Sequence, residues 1–488
     1  MNQIAFTPKF RLTLVAAAAS TALLLAACGG GGSSGGSASS SPAAAQAGTA
    51  TSSGTVTGFG SVFVDGVRID DRNVIAGVEQ EDGGIMNAEL KIGQHVDVEY
   101  DDNLVAKLIR ITSEVTGKVQ SVDTVKGTLS VLGQTIVINT DAAAGPVTVF
   151  DAPYTGLADV KAGDTIEVNG LIKTDAAGNV TLQATRIEKE APAAFQRLRG
   201  HVTDLSTTAN TFKVGGLLVS YANASVKPSA AALANGADVV VSIPANQTIT
   251  AGTAVSASFV KVKNHREENQ DKDAKLGGAI TKIDVNAKTF VVDGVKVDAS
   301  KASFEQSGRS FANLSEGVYV RVKGAYQADG TLVASSIVIR SLERESGREV
   351  ELHGSILNFK SNADFMLRGV NVDASSAKIS CPSGTTLANN LQVEAEGHLT
   401  STGKLIAVEV KCEDIQTGAS IVERVGIANK VDTTAKSLTL GDTQSVVWTS
   451  NTLFVGVDAA SLAGKSVEIE GTLSGSVLTA TKIKLASF

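Results

Sequence analysis

The sequence predicts an all-β chain, a tandem array of six small OB-like five-stranded β-barrels behind an export signal and a flexible tether. Three observations carry the prediction. One unit recurs, its central turn marked by Gly66, Gly133, Gly216, Gly294, Gly369 and Gly441. Each copy reads strand, hairpin, irregular connection, hairpin, which is the strand order of a small OB-like barrel. The first 53 residues lack the pattern and divide into an apolar Ala/Leu run and a Gly/Ser/Ala run.

The copy from Leu276 to Arg340 is the clearest. Its centre, Thr289 to Asp298, sets two β-branched runs around Asp293-Gly294, a two-residue signature of a type I′ hairpin turn. Each copy opens on a glycine: Gly54, Gly117, Gly200, Gly278, Gly354 or Gly426. The downstream strand, here Gly317 to Gly324, usually ends on glycine, with Pro244 in its place in the third copy. The last strand fits Leu/Val-x-Ala-x-x-Ile/Val at Ala106, Ala184, Ala257, Ala334, Ala407 and Ala480. Alternation puts the Leu and Ala on one face, so the Ala is an expected core position. The variable stretch between third and fourth strands is the expected exposed loop, and the Ala-rich Ser229 to Ala237 a short helix within it. An immunoglobulin-like sandwich needs about seven strands in about 100 residues, more than these units supply.

The units span residues 54–113, 114–190, 198–263, 276–342, 349–414 and 421–487. A charged linker, 264–275, divides them three and three, and 341–348 is a shorter joint. Units of this size are near the lower limit for an independent core, so neighbours are expected to dock. Phe290 and Phe365 recur just before the central turn, with Phe212 close to it, and read as core. The formal charge of −7 and the lack of a recurring basic, aromatic-lined surface count against nucleic acid.

Residues 1–27 read as a lipoprotein signal peptide. Lys9 and Arg11 precede an apolar run from Leu12 to Leu25, which is short for a spanning helix. The run ends in Leu25-Ala26-Ala27-Cys28, which resembles the bacterial lipobox. That resemblance implies lipidation of Cys28, with palmitate among the acyl chains, and a stable membrane anchor. Gly29, where an inner-membrane retention signal would have Asp, points to the outer membrane. Residues 28–53 are the tether, and cleavage after Ala27 leaves a formal charge of −7 − 2 = −9.

Candidate sites are few. Asp97, Glu99 and Asp101 alternate along a strand of the first unit and offer hard oxygen ligands, but no EF-hand pattern accompanies them. Such alternation reads first as a solvent face, so no metal is assigned. Cys381 and Cys412 fall in one unit of an exported chain and read as a disulfide closing a loop of about 30 residues. His95, His201, His265, His353 and His398 lack metal-ligand spacing. Ser258-x-x-Lys261 and Ser375-x-x-Lys378 lie in strand or loop contexts where their motif has no meaning. No catalytic residue and no cofactor is assigned, and the chain is not read as an enzyme.

The succession Phe290 to Gly294, Gly317 to Gly324 and Leu332 to Ile337 resembles domain of unknown function 5666, a tandem repeat of proteobacterial lipoproteins. The resemblance runs from about Gly54 onward, strongest in units one, two and four, and implies an exported β-rich domain without established catalytic residues. The expected function is a non-catalytic binding or structural role at the outer membrane, with an envelope glycan as ligand by analogy with OB-like barrels. A protein-binding adhesion or envelope-assembly factor is the alternative, and an envelope hydrolase a third. The expected partners are the membrane, through the lipid anchor, and envelope glycans or proteins. The repeats would face the periplasm or the cell surface.

Overall fold

The first strand of unit four, Ala274–Asp284, pairs antiparallel with Thr289–Val292, which returns through Asp293-Gly294 to Val295–Asp298. Asp293 and Gly294 both have positive φ, 45° and 74°, as a type I′ turn requires. Val295–Asp298 runs parallel to the last strand, Leu332–Arg340, which pairs antiparallel with Tyr319–Tyr326. Tyr319–Tyr326 returns to the first strand, and the circuit closes in the order one, two, three, five, four. This is the OB-like order expected from the sequence.

The computed structural model describes residues 50–79, 85–174, 180–263, 274–327, 329–340, 349–412, 420–441 and 444–485. The same circuit recurs in these residues with local variations. Unit six is a closed barrel of Ser420–Asp432, Ser437–Leu440, Gln444–Val455, Val477–Leu485 and Ser466–Ser474. Unit five divides its first strand at the buried Ile356, into Val350–Ser355 and Leu357–Ser361. Unit one closes through a parallel bridge between Asp70 and Val105. The Ala-rich connection of unit three holds only a 3-10 turn, Ala230–Ala232.

The recurrent Ala and Gly have one cause. All six recurrent Ala are buried. In units two, four, five and six the register shifts between the residue before the strand-four Gly and that Gly, at Gly170, Gly324, Gly397 and Gly471. A Cβ at Gly397 would lie 2.0 Å from the Ile406 carbonyl oxygen and 2.8 Å from Ala407 Cα. The bulge therefore presses two backbones together and excludes larger side chains. Unit three, with Pro244, pairs Asp238–Pro244 with Phe259–Val262 without a register shift.

The units do not hang as separate beads. The described residues from Ala50 onward form one compact unit, and pairing between units fuses one, four and five into one sheet and two and three into another. The first strand of unit one, Ala50–Phe59, runs parallel to that of unit four at Thr51–Leu276 and Ser52–Gly277. It also meets unit five at Gly58–Glu351. The division into three and three is thus not a spatial one. Of the linker, 264–273 lies outside the described residues, as does the joint 341–348.

One boundary needs correction. Ala50 to Ser53, assigned to the tether from composition, is strand, paired with Tyr100 to Asp97. Ser52 and Ser53 are buried, and Ser52 Oγ lies 2.6 Å from the Tyr319 hydroxyl of unit four. Small side chains are required where two first strands run side by side, and in sequence that requirement is indistinguishable from low complexity. Ala274 and Lys275 likewise belong to the first strand of unit four. Residues 1–49, which include the expected signal peptide and Cys28, lie outside the described residues.

Candidate functional site

Units one to four meet around a cavity of about 350 Å³. Its wall holds a charge network to which each unit contributes. In unit one, Ser53 faces Asp97 across the ladder, and its hydroxyl donates to Asp97 Oδ1 at 2.8 Å. The same hydroxyl lies 2.8 Å from His95 Nε2. His95 Nδ1 approaches Glu114 Oε1, at the entry to unit two, at 2.8 Å, in a contact that misses hydrogen-bond geometry. Unit three supplies Arg199, which donates to Asp238 at 3.2 Å and to Asp293, in the turn of unit four, at 2.7 Å. Lys263 pairs with Asp97, and Arg199 lies 3.8 Å from it.

Burial is the largest single influence on these groups, and the opposing charges together override it. Desolvation alone would raise the Asp97 pKa, but Lys263 and Arg199 hold it well below the usual carboxylate range. Burial disfavours the His95 cation, yet Glu114 and Asp97 raise its pKa. Arg199 is likewise held charged by Asp238, Asp97 and Asp293 against its desolvation.

Ser53, His95 and Glu114 have the residue types of a hydrolase triad, but their contacts differ from those of one. The Ser53 proton is given to a carboxylate, and the third contact lacks the geometry that would orient the imidazole. The arrangement fastens units to one another. Two other polar atoms on the cavity wall, His201 Nδ1 and Gln183 Nε2, are buried without a hydrogen-bond partner in the protein. Buried polar groups are rarely left unpaired, because desolvation costs about 1–3 kcal/mol each. Their placement equips the cavity for a polar ligand.

A smaller cleft lies where units one, five and six meet. There Arg368 donates to Glu470 at 2.6 Å, and Lys482 lies 3.4 Å from Asp71 and 3.9 Å from Glu470. Burial would raise Glu470, but Lys482 and Arg368 bring its pKa down to about 2.

The candidates read from sequence are distributed differently. Asp97 enters the buried network rather than facing solvent. Glu99 pairs with Arg110 at 2.7 Å, and Asp101 Oδ1 accepts from the backbone of Asn103 and Val105. The three therefore do not converge on one ion. Cys381 and Cys412 form a disulfide, their Cα atoms 4.8 Å apart. His201 lines the four-unit cavity, while His353 stacks on Phe63 at the seam of units one and five, so the two share no site. Arg199, Lys263, Glu114 and Ser53 were not singled out by sequence reasoning, because each belongs to a different local pattern.

A family model, Domain of unknown function (DUF5666), matches residues 116–188, 277–338 and 426–484. The three matched segments lie in tandem along the chain and are similar to that domain. They fall in units two, four and six, whereas the sequence resemblance was strongest in one, two and four. No curated protein matches the chain. Among solved structures, one titled drosophila Unr CSD456 aligns at 15% identity with a TM-score of 0.13, covering 43% of this chain and 97% of that one. That score supports no inference.

Proposed function

We infer that the protein is a lipid-anchored outer-membrane lipoprotein whose fused OB-like barrels act as a non-catalytic binding body for an envelope glycan. The observation that carries the ligand reading is the four-unit cavity with its unpartnered His201 Nδ1 and Gln183 Nε2. Its volume of about 350 Å³ lies within the range of small-molecule sites, roughly 300–1,000 Å³. Carboxylate, guanidinium, amide and imidazole groups converge on it, and that mixture suits a polyhydroxylated ligand, which both donates and accepts. The anchor rests on the lipobox at Cys28 and the Gly/Ser tether.

Two experiments test the reading. Purified protein is screened against envelope polysaccharides and their fragments, with Gln183→Leu and His201→Leu in parallel. Binding that both variants weaken supports the cavity, and no glycan bound by the parent protein refutes it. Metabolic labelling with a palmitate analogue should mark the parent chain and spare Cys28→Ala. A serine-directed covalent probe that modifies Ser53 in the folded protein would overturn the non-catalytic reading.

A further inference from the structure

We propose that unit five carries a site for a divalent cation of the Zn²⁺ class, held by Glu351, His353 and Glu394. The site is separate from the four-unit cavity and does not depend on the glycan reading. The pairing register builds it. His353 lies directly opposite Glu394 and Glu351 opposite Glu396, on Val350–Ser355 and Gln392–Leu399. Glu351 and His353 are two residues apart and share a face of the strand. One ligand atom from each of Glu351, His353 and Glu394 lies within 4.8 Å of the other two. Imidazole nitrogen with two carboxylate oxygens is a donor set that zinc accepts, leaving one position for water.

Two further features distinguish this face from a chance gathering of acids. The imidazole is held by another unit: Phe63 stacks on it, with centroids 5.5 Å apart and planes 5° apart. Gly60 packs against it so closely that a Cβ there would lie 2.4 Å from His353 Cβ. Carboxylates are also crowded on this face. Lys411 reaches Glu394 at 2.8 Å and Glu396 at 2.5 Å, while Glu351 lies 2.6 Å from His353 Nε2. The ligand side chains retain 37%, 14% and 19% of their exposure for Glu351, His353 and Glu394, so an ion can reach them. Cys381 and Cys412 are joined to each other and offer no competing thiolate. Lys411 is a competing cation on the same face.

The test is calorimetric titration of Zn²⁺ into the chelator-treated full chain, with Mg²⁺ and Ca²⁺ in parallel. One Zn²⁺ should bind per chain, ahead of the two hard ions. His353→Gln should weaken it at least ~10-fold, a change of about 1.4 kcal/mol. Lys411→Met should tighten it, because the competing charge is gone. Glu394→Gln is a second ligand variant, lying away from the Phe63 stack, should His353→Gln disturb the seam. No Zn²⁺ binding, binding that neither ligand variant weakens (adventitious carboxylates only), or weaker binding by Lys411→Met would each overturn the site.

Discussion

Replacing Glu167 by Gln should stabilise the protein in neutral and alkaline solution and leave it unchanged in acid. Glu167 lies on Thr165–Thr174 of unit two, half-buried, and accepts one hydrogen bond from Asn169 at 3.3 Å. Burial, then Glu188, Glu190 and Glu114, raise its pKa from 4.5 to about 7. The folded state therefore holds this proton more tightly than the unfolded chain does. The stability so contributed is complete below pH 4.5 and is lost as pH rises from 4.5 through 7. At about 1.4 kcal/mol per pH unit, the interval from 4.5 to about 7 sets a ceiling of roughly 3.5 kcal/mol, which relaxation and water access reduce. The Gln variant keeps the shape and the Asn169 contact without the charge. Urea unfolding of both proteins at pH 4, 6 and 8.5 should give midpoints that coincide in acid and separate progressively, with the variant more stable. Coincident midpoints at pH 8.5, or a less stable variant there, would refute the assignment of that buried charge.

Three further outcomes are expected. Arg199→Met should destabilise the protein by about 3–5 kcal/mol at neutral pH, since Asp238 and Asp293 lose their shared partner; chemical denaturation reads this, and a loss below 1 kcal/mol would argue against the network. Cys412→Ser should cost roughly 3–4 kcal/mol, from the loop-closure entropy of a 31-residue separation, and should make stability insensitive to reductant. Gly397→Ala should cost about 1–3 kcal/mol through the clash with the Ile406 carbonyl, whereas Gly156→Ala, with nothing within 4 Å of its Cβ, should be nearly neutral by thermal melting.

The repeat made most of the barrel legible. Asp293-Gly294 named its turn, and the Leu-x-Ala pattern named the last strand. The strand-four Gly marked a bulge whose cause, backbone contact at the facing Ala, appears only once the two strands are paired. The cysteine pair was legible because the unit confines both residues. The charge network was not. Ser53 sat in a stretch that composition assigns to tether, and Asp97 in an alternation that resembles a solvent face. Arg199, Lys263 and Asp293 have no spacing that announces a common site.

The sequence by itself determined the unit, its strand order and its tight turns, because these depend on local backbone chemistry and on alternation within ten or so residues. It also carries the resemblance of Leu25 to Cys28 to a lipobox, and the acidic balance. The tertiary structure alone decided which units touch. First strands with small side chains, Ser52 and Gly277, can run side by side, and that places unit one against units four and five. Only this docking converts Asp97 from a surface acid into a buried partner of Lys263, and sets His353 under Phe63. Such contacts join residues far apart in the chain, whose identities obey no common period, so the physical information that specifies them exists only after the barrels have formed and packed.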